Sequence, residues 1–134
     1  MNNQNTLLTP IVTDLATAPG GHYSQAMAFR NLIFVSGQLG FIPGSDQALA
    51  GSVEEQTKHC LENLRQILLA VDSDLDHVIK TTIYISNVEY WPRVNRVYAE
   101  VFASHKPARA IVPCNQLHHG FDVEIEAIAT NFEQ

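Results

Sequence analysis

The sequence predicts an α+β fold in which two helices pack on one face of a mostly antiparallel β-sheet. Short runs rich in valine, isoleucine and threonine are separated by turn signals, which is typical of strands. Two longer segments repeat apolar residues every three or four positions, which is typical of helices with one buried face. The resulting order is β-β-α-β-α-β-β. A chain of 134 residues without a linker or repeat is expected to form one domain, residues 1–134.

The first two strands form a predicted hairpin. Ala18-Pro19-Gly20-Gly21 is the first strong turn signal, so residues 1–17 are expected to form an N-terminal arm or a short edge strand. Tyr23 to Phe29 and Leu32 to Gly37 then flank Arg30-Asn31 as two strands.

The first helix begins at a capping box. In Ser52-Val53-Glu54-Glu55, the serine hydroxyl and the second glutamate are spaced to bond the free backbone N–H groups at a helix start. A loop over residues 40–51 precedes this box. The predicted buried face is one stripe of residues: Cys60, Leu61, Leu64, Ile67, Leu68 and Val71.

The second half of the chain adds a strand, a helix and two further strands. Val78 to Ile85 is rich in isoleucine and threonine and is predicted to be a strand. Asn87 is the expected cap of the second helix, with Pro92 in its first turn. Ala108 to Val112 and Phe121 to Ala129 complete the sheet. The second helix carries its own apolar stripe: Val94, Val97, Tyr98, Val101 and Phe102.

Both faces of the predicted sheet are apolar. Side chains alternate along a strand, so Leu32 and Phe34 face one way while Ile33 and Val35 face the other. Two helices cover only one face, and an antiparallel sheet with water on its second face carries polar residues there. The second face is therefore expected to be buried. Either other copies of the chain cover it in a closed homo-oligomer, or loops and the N-terminal arm do.

The composition indicates a globular, cytoplasmic protein that binds neither nucleic acid nor membranes. The formal net charge of −6 opposes binding of a polyanion such as RNA, and no basic run compensates for it. No stretch approaches the roughly 20 apolar residues that span a bilayer. The first five residues, Met1-Asn2-Asn3-Gln4-Asn5, lack the basic and apolar parts of a signal peptide. Cys60 and Cys114 lack the spacing of a metal or redox site.

One cation and two carboxylates occur in segments that are otherwise apolar enough to be buried. Arg109 follows Pro107-Ala108, and Glu124 and Glu126 alternate within the last predicted strand. Buried charges are costly unless they are paired or bind a ligand, and a guanidinium holds a carboxylate through two parallel hydrogen bonds. The pattern predicts a site for a small carboxylate. The alternative is an ion pair between Arg109 and one of the two glutamates.

The pair of histidines in His118-His119-Gly120 invites a metal interpretation. Adjacent residues of an extended segment point to opposite sides, and no further ligand spacing surrounds them, so no metal site is expected. Their loop precedes the strand of Glu124, which leaves one of them within reach of a pocket there.

A set of five short motifs occurs along the chain: Gly21-His22-Tyr23-Ser24-Gln25, Val35-Ser36-Gly37-Gln38, Val94-Asn95, Pro107-Ala108-Arg109 and Val123-Glu124-Ile125-Glu126-Ala127-Ile128-Ala129. Their order and spacing resemble the RidA/YjgF family, also called endoribonuclease L-PSP or reactive intermediate deaminase. The resemblance covers residues 18–130. It implies a chorismate-mutase-like fold, a homotrimer whose sheets line a central barrel, and three pockets at the subunit interfaces.

The resemblance also implies an activity and a set of site residues. Family members hydrolyse reactive enamines and imines, such as 2-aminoacrylate and 2-iminopropanoate, to 2-keto acids and ammonia without a metal or organic cofactor. Arg109 matches the carboxylate clamp, and Glu124 matches the acidic residue that holds or activates water, as an acid or as a base. Tyr23 resembles the tyrosine that closes over the substrate. Ser36 and Asn95 match polar positions of the pocket.

Some positions depart from the family pattern. Ile111 stands where many members carry a cysteine; a thiol nucleophile is thereby excluded, whereas a substrate contact through the backbone carbonyl of residue 111 is preserved. Pro113 indicates an early strand end or an edge position, and His22 replaces a common proline. These departures predict a divergent member that acts on an imine or enamine acid other than the simplest one. A non-catalytic trimer that binds small carboxylates or a protein partner is the alternative, and an endoribonuclease is a third.

Overall fold

The computed structural model describes residues 7–44 and 51–131, which form a six-stranded sheet and two α-helices. The helices are α1 (Val53–Leu69) and α2 (Trp91–Phe102). Residues 1–6 of the predicted arm and residues 45–50 of the predicted loop lie outside the described residues. The strands are β1 (Leu8–Ile11), β2 (Ala26–Phe29), β3 (Leu32–Leu39), β4 (Val78–Ile85), β5 (Ala108–Pro113) and β6 (Val123–Thr130).

The strands are arranged in the order β1-β2-β3-β6-β4-β5. Neighbours are antiparallel except β4 and β5, which run parallel because α2 carries the chain back across the sheet between them. The α+β class with two packed helices is confirmed, with a mixed sheet. Residues before the first turn signal contribute β1, which pairs with β2 at one edge.

The strand predicted over residues 23–29 is shorter than expected. The N–H of Tyr23 donates to the C=O of Gly21 at 3.0 Å, which closes a tight turn, and the strand begins only at Ala26. The following hairpin turns at Arg30, whose φ of 57° lies in the left-handed region. β3 runs beyond its predicted end, through an irregularity in its pairing with β6 after Val35.

The predicted capping box of α1 is confirmed. The N–H of Glu55 donates to the Ser52 hydroxyl at 3.1 Å, and the N–H of Ser52 donates to the Glu55 carboxylate at 3.1 Å. The helix buries most of the predicted stripe against the sheet: Cys60, Leu61, Leu64, Ile67 and Leu68 are all within 1% of complete burial. Val71, the last residue of that stripe, follows the end of α1 and is only partly buried.

The start of α2 differs from the prediction. Asn87 accepts the N–H of Glu89 at 2.9 Å and so caps a 3₁₀ turn over Val88–Tyr90 rather than α2 itself. The α-helix begins at the next residue, with Pro92 in its first turn as predicted. Its C-cap is Ala103, with the unusual angles φ 56° and ψ −119°.

The helices cover one face of the sheet, and the other face is open in the single chain. Ile33, Ile83 and Ile125 point towards the helices and are fully buried. Leu32 and Phe34 point the other way and remain 39% and 43% exposed, so the described loops and β1 leave this face uncovered. Among the described residues, no helix has the length and hydropathy of a membrane span.

Candidate active site

A cleft at one end of the sheet contains Tyr23 and Glu124, two of the predicted catalytic residues. It has a volume of about 410 Å³ and lies between the loop before β2, the end of β3, the turn before β6 and β6 itself. Phe41, His118 and His119 form part of its wall. The cleft therefore combines an ionisable carboxyl with aromatic and imidazole side chains.

Glu124 occupies space that only a glycine leaves free. A Cβ added to Gly37 on β3 would lie 2.6 Å from Oε2 of Glu124, so the missing side chain makes room for the carboxyl. Burial raises the pKa of this carboxyl above its usual value; charge on His118 lowers it, and repulsion from Glu126 adds a further increase. A raised carboxyl pKa brings proton exchange closer to neutral pH, as a general acid or base requires.

Tyr23 stands at the mouth of this cleft and is 52% exposed. Its hydroxyl oxygen accepts the N–H of Gly20 at 3.2 Å. Gln25, which is buried, fixes the loop behind it: its amide Oε1 accepts the N–H of Thr13 at 2.8 Å, and its Nε2 donates to the C=O of Thr17 at 2.9 Å. The wall that carries the tyrosine is thus tied to β2.

Arg109 lies in a second cavity of about 430 Å³ between β5 and α2. Its Nη1 donates to Oδ1 of Asn95 at 2.9 Å, which brings together two of the predicted site residues. Lys106 lines the same cavity. Two cations in one cavity favour an anionic ligand.

Two aromatic rings of α2 hold the guanidinium of Arg109. Its Cζ lies 4.9 Å from the ring centre of Tyr98 and 5.9 Å from that of Trp91. The Tyr98 hydroxyl is 2.7 Å from the hydroxyl of the buried Thr81, which fixes the ring. Burial raises the pKa of Tyr98, while the bond to Thr81 and the charge of Arg109 oppose that increase. The guanidinium is therefore oriented before any ligand binds.

Arg109 and Glu124 do not meet within one chain. In the strand register, Arg109 on β5 lies beside Thr81 on β4, and both side chains are on the helix-covered face. Glu124 on β6 lies opposite Tyr84 on β4, and both side chains are on the open face. Among the described residues, Arg109 forms no ion pair with Glu124 or Glu126, so the alternative of such a pair is not realised within a single chain. The chain presents two separate half-sites, one with Tyr23 and Glu124 and the other with Arg109 and Asn95.

Ser36 ties β3 to the segment before β2. Its hydroxyl donates to the C=O of Ser24 at 2.7 Å, and its N–H donates to the C=O of Gln25 at 3.0 Å. These bonds fix the backbone next to Gly37, which contacts the Glu124 carboxyl.

Ile111 packs its side chain against the core below β5. Its backbone faces the free edge of the sheet. The N–H of Cys114 donates to the C=O of Ile85 on β4, and backbone groups of alternate residues point to alternate sides. By this alternation, Pro113 also faces the free edge. A proline is suited to that position because it has no N–H that would need a partner there. The carbonyls of Arg109 and Ile111 are therefore available at this edge.

Glu126 lies outside the two cavities that hold Glu124 and Arg109. Its carboxylate accepts the Tyr84 hydroxyl at 3.3 Å on the open face. Among residues 7–44 and 51–131, no group of three or more histidine, cysteine or acidic side chains is arranged to hold a metal ion.

Sequence reasoning missed three residues of these half-sites, namely Gly37 as the space for Glu124 and the rings of Trp91 and Tyr98 around Arg109. The sequence does contain a pattern that could have identified Trp91 and Tyr98. Trp91, Asn95 and Tyr98 are spaced by four and three residues and so share one face of a helix. That spacing predicts a common cavity once Asn95 is recognised as a site residue.

Comparison with known proteins identifies the family. The sequence model of the endoribonuclease L-PSP family matches residues 13–131. Protein HMF1 of Saccharomyces cerevisiae is 39% identical over 124 residues, which are 92% of this chain and 95% of the yeast protein. The human 2-iminobutanoate/2-iminopropanoate deaminase is 40% identical over 120 residues, 88% of each chain. The crystal structure of RidA from an Antarctic Psychrobacter superposes with a TM-score of 0.87 at 34% identity, over 91% of this chain and 98% of that one. The chain therefore belongs to the endoribonuclease L-PSP family, the RidA/YjgF family that its motifs resemble.

Proposed function

We propose that this protein is a deaminase that hydrolyses reactive 2-imino acids and their enamine tautomers to 2-keto acids and ammonia. The observation that carries the proposal is the preoriented guanidinium of Arg109. It is held by Asn95 and two aromatic rings and, among the described residues, is not neutralised by a carboxylate. A cation in this state favours a ligand carboxylate. The human relative at 40% identity, named for its action on 2-iminobutanoate and 2-iminopropanoate, supports that class of carboxylate.

The chemistry needs one group that handles protons beside the clamped substrate. Water attacks the carbon of the protonated imine; the C–O bond forms, the nitrogen takes the π electrons, and Glu124 accepts one proton of the water. Glu124 then returns this proton to the nitrogen. The hydroxyl loses its proton to solvent as the C=O bond forms, the C–N bond breaks and ammonia leaves. The raised pKa of Glu124 suits both transfers.

The complete site in this proposal lies between two subunits of a homotrimer. Leu32 and Phe34 keep an apolar face exposed in the single chain, which favours burial against another copy. Within one chain Arg109 and Glu124 lie on opposite faces of the sheet. A neighbouring subunit that covers the open face would bring its own Arg109 to Glu124, with Tyr23 and the carbonyl of Ile111 closing the pocket.

The activity is tested with imines generated in situ. An amino-acid oxidase converts a panel of amino acids to 2-imino acids, and semicarbazide traps the imine that remains. We expect the wild-type protein to accelerate keto-acid release and Arg109→Ala to lose this effect. Arg65→Ala, which removes an exposed arginine of α1, is the matched control and retains it. A wild-type protein that accelerates hydrolysis of none of the imines refutes the proposal.

A carboxylate-binding protein without catalysis is the second candidate, and Trp91 distinguishes it. Trp91 is the only tryptophan of the chain and lies 5.9 Å from the Arg109 guanidinium. Its fluorescence is therefore expected to change when pyruvate or 2-oxobutanoate binds, and Arg109→Gln is expected to abolish the change. A saturable change without acceleration of imine hydrolysis favours the binding protein.

A further inference from the structure

The cavity of about 430 Å³ around Arg109 concentrates positive charge. Lys106 and Arg109 both line it, and none of the described residues in its wall is acidic. The chain as a whole has a formal net charge of −6, so the cavity differs in sign from the rest of the protein. A ligand with one carboxylate neutralises only one of these two cations, whereas a ligand with two carboxylates neutralises both.

The segment that presents Lys106 is fixed on both sides. Before it, the N–H of His105 donates to the C=O of Phe102 at 3.1 Å, and the His105 ring donates from Nε2 to the C=O of Val78 at 2.7 Å. After it, Pro107 restricts the backbone, and β5 begins at the next residue. These contacts fix the backbone of Lys106 at the border of the cavity.

Neither cation of the cavity is neutralised within the described part of the chain. Lys106 is exposed and takes part in none of the ion pairs between residues 7–44 and 51–131. Arg109 is held by the amide oxygen of Asn95 and by aromatic rings, which are all uncharged groups. Both charges are therefore available to a ligand.

The two cations are close enough to bind one small molecule. Lys106 and Arg109 are three residues apart, so their Cα atoms are separated by at most about 11 Å. Both side chains are long and line the same cavity, so their charged ends can bind the two carboxylates of one four- or five-carbon diacid. Phe102 and Ala99 add apolar surface to this cavity, which suits the methylene groups that join the two carboxylates.

We propose that Lys106 binds a second carboxylate in the side chain of the substrate, so that the protein prefers 2-imino acids derived from acidic amino acids, such as 2-iminoglutarate. The inference rests on the proposed function, in which Arg109 holds the carboxylate next to the imine. Lys106 then determines specificity through a charge-assisted hydrogen bond to the distal carboxylate. An imino acid with a methyl or ethyl side chain leaves the Lys106 ammonium in water and forgoes this bond.

The first test measures binding by isothermal titration calorimetry, with 2-oxoglutarate and 2-oxobutanoate as stable analogues of the two substrate types. The wild-type protein is expected to bind 2-oxoglutarate up to about fivefold more tightly, the factor that an ion pair at an exposed lysine supplies. Lys106→Gln is expected to lose this preference, Lys106→Arg to keep it and Lys106→Glu to reverse it. Lys58→Gln, at an exposed lysine of α1, is the matched control and keeps it. Both positions are exposed, so the variants are expected to fold.

The second test compares kcat/KM for 2-iminoglutarate and 2-iminobutanoate, each generated by an amino-acid oxidase. Lys106→Gln is expected to lower the ratio of these two values by the same factor, and Lys58→Gln is expected to retain it. A wild-type protein without the preference, a preference that survives in Lys106→Gln, or an equal loss in Lys58→Gln overturns the inference. A protein that binds 2-oxoglutarate through Lys106 but hydrolyses neither imine overturns the proposed function instead, because the calorimetry does not depend on turnover.

Discussion

The guanidinium of Arg109 and the carboxyl of Glu124 project from opposite faces of one β-sheet. In the strand register, Arg109 on β5 lies beside Thr81, whose side chain is on the helix-covered face. Glu124 on β6 lies opposite Tyr84, whose side chain is on the open face. Each charge also has its own cavity, of about 430 Å³ and about 410 Å³. A site that uses both groups therefore needs two copies of the chain, which gives the proposed trimer a catalytic reason.

Complementation between two inactive variants tests this relationship. Arg109→Ala and Glu124→Gln are each expected to be inactive alone. When they are unfolded together in equal amounts and refolded, each mixed trimer contains one interface with both wild-type residues. Random mixing then restores about one quarter of the wild-type rate. The measurement is imine hydrolysis by the refolded mixture, with separately refolded variants as the control. No recovered activity, despite mixed trimers detected by mass spectrometry, argues against a site shared between subunits.

Gly37→Ala is expected to displace Glu124 rather than to unfold the protein. The new Cβ would lie 2.6 Å from Oε2 of Glu124, and this flexible carboxyl end is the group that yields. A catalytic group displaced by about 1 Å costs on the order of 100-fold in rate, so kcat is expected to fall by that order while thermal stability changes little. Gly20→Ala in the same cleft is the control, since its Cβ would meet no atom within 4 Å. Equal losses of kcat in both variants contradict the role of Gly37.

Glu124→Gln is expected to stabilise the fold in a pH-dependent way. Burial raises the pKa of Glu124 above its usual value of 4.5, so the folded chain binds this proton more tightly than the unfolded chain does. Its contribution to stability is present below pH 4.5 and is lost as the pH rises through the folded-state pKa. The free energy of unfolding of the glutamine variant should therefore equal that of the wild type at pH 4 and exceed it at pH 7. Urea unfolding at fixed protein concentration measures both values.

Glu54 is the control, because its pKa is shifted in the opposite direction to that of Glu124. Its hydrogen bond to Arg93 lowers its pKa to about 2, so its contribution is present above pH 4.5 and is lost as the pH falls towards 2. Glu54→Gln is expected to be less stable than the wild type at pH 7 and to approach it in acid. The same trend with pH for both variants is inconsistent with this assignment.

Ala103→Gly is expected to stabilise the protein by about 1 kcal/mol, because glycine relieves a strained backbone and costs some chain entropy in return. Ala103 caps α2 with φ 56° and ψ −119°, a conformation that disfavours any Cβ. The matched control makes the same change inside the helix, where Ala99→Gly is expected to destabilise by about 1 kcal/mol. Urea unfolding of both variants measures the two signs, and a loss of stability at both positions contradicts the strain.

Local features of the chain were predictable because they depend on neighbours in sequence. β4 begins and ends at the residues expected from its β-branched run, and Ser52 caps α1 as its spacing requires. The shortened β2 and the displaced start of α2 were not predictable in the same way. In each case a short turn, closed at Gly21 or capped by Asn87, competes with the regular element for the same backbone groups.

The sequence by itself determined the α+β class, the two apolar faces of the sheet and the chemical identity of the half-sites. Hydrophobic period, helix caps and the side-chain types of Arg109 and Glu124 are all properties of short segments. Only the tertiary structure decided that Arg109 lies against Trp91 and Tyr98, that Gly37 makes room for Glu124, and that the two charges face opposite ways. The physical reason is strand register: which residues share a face depends on pairings between distant segments, and a shift of one residue would move every side chain of a strand to the other face.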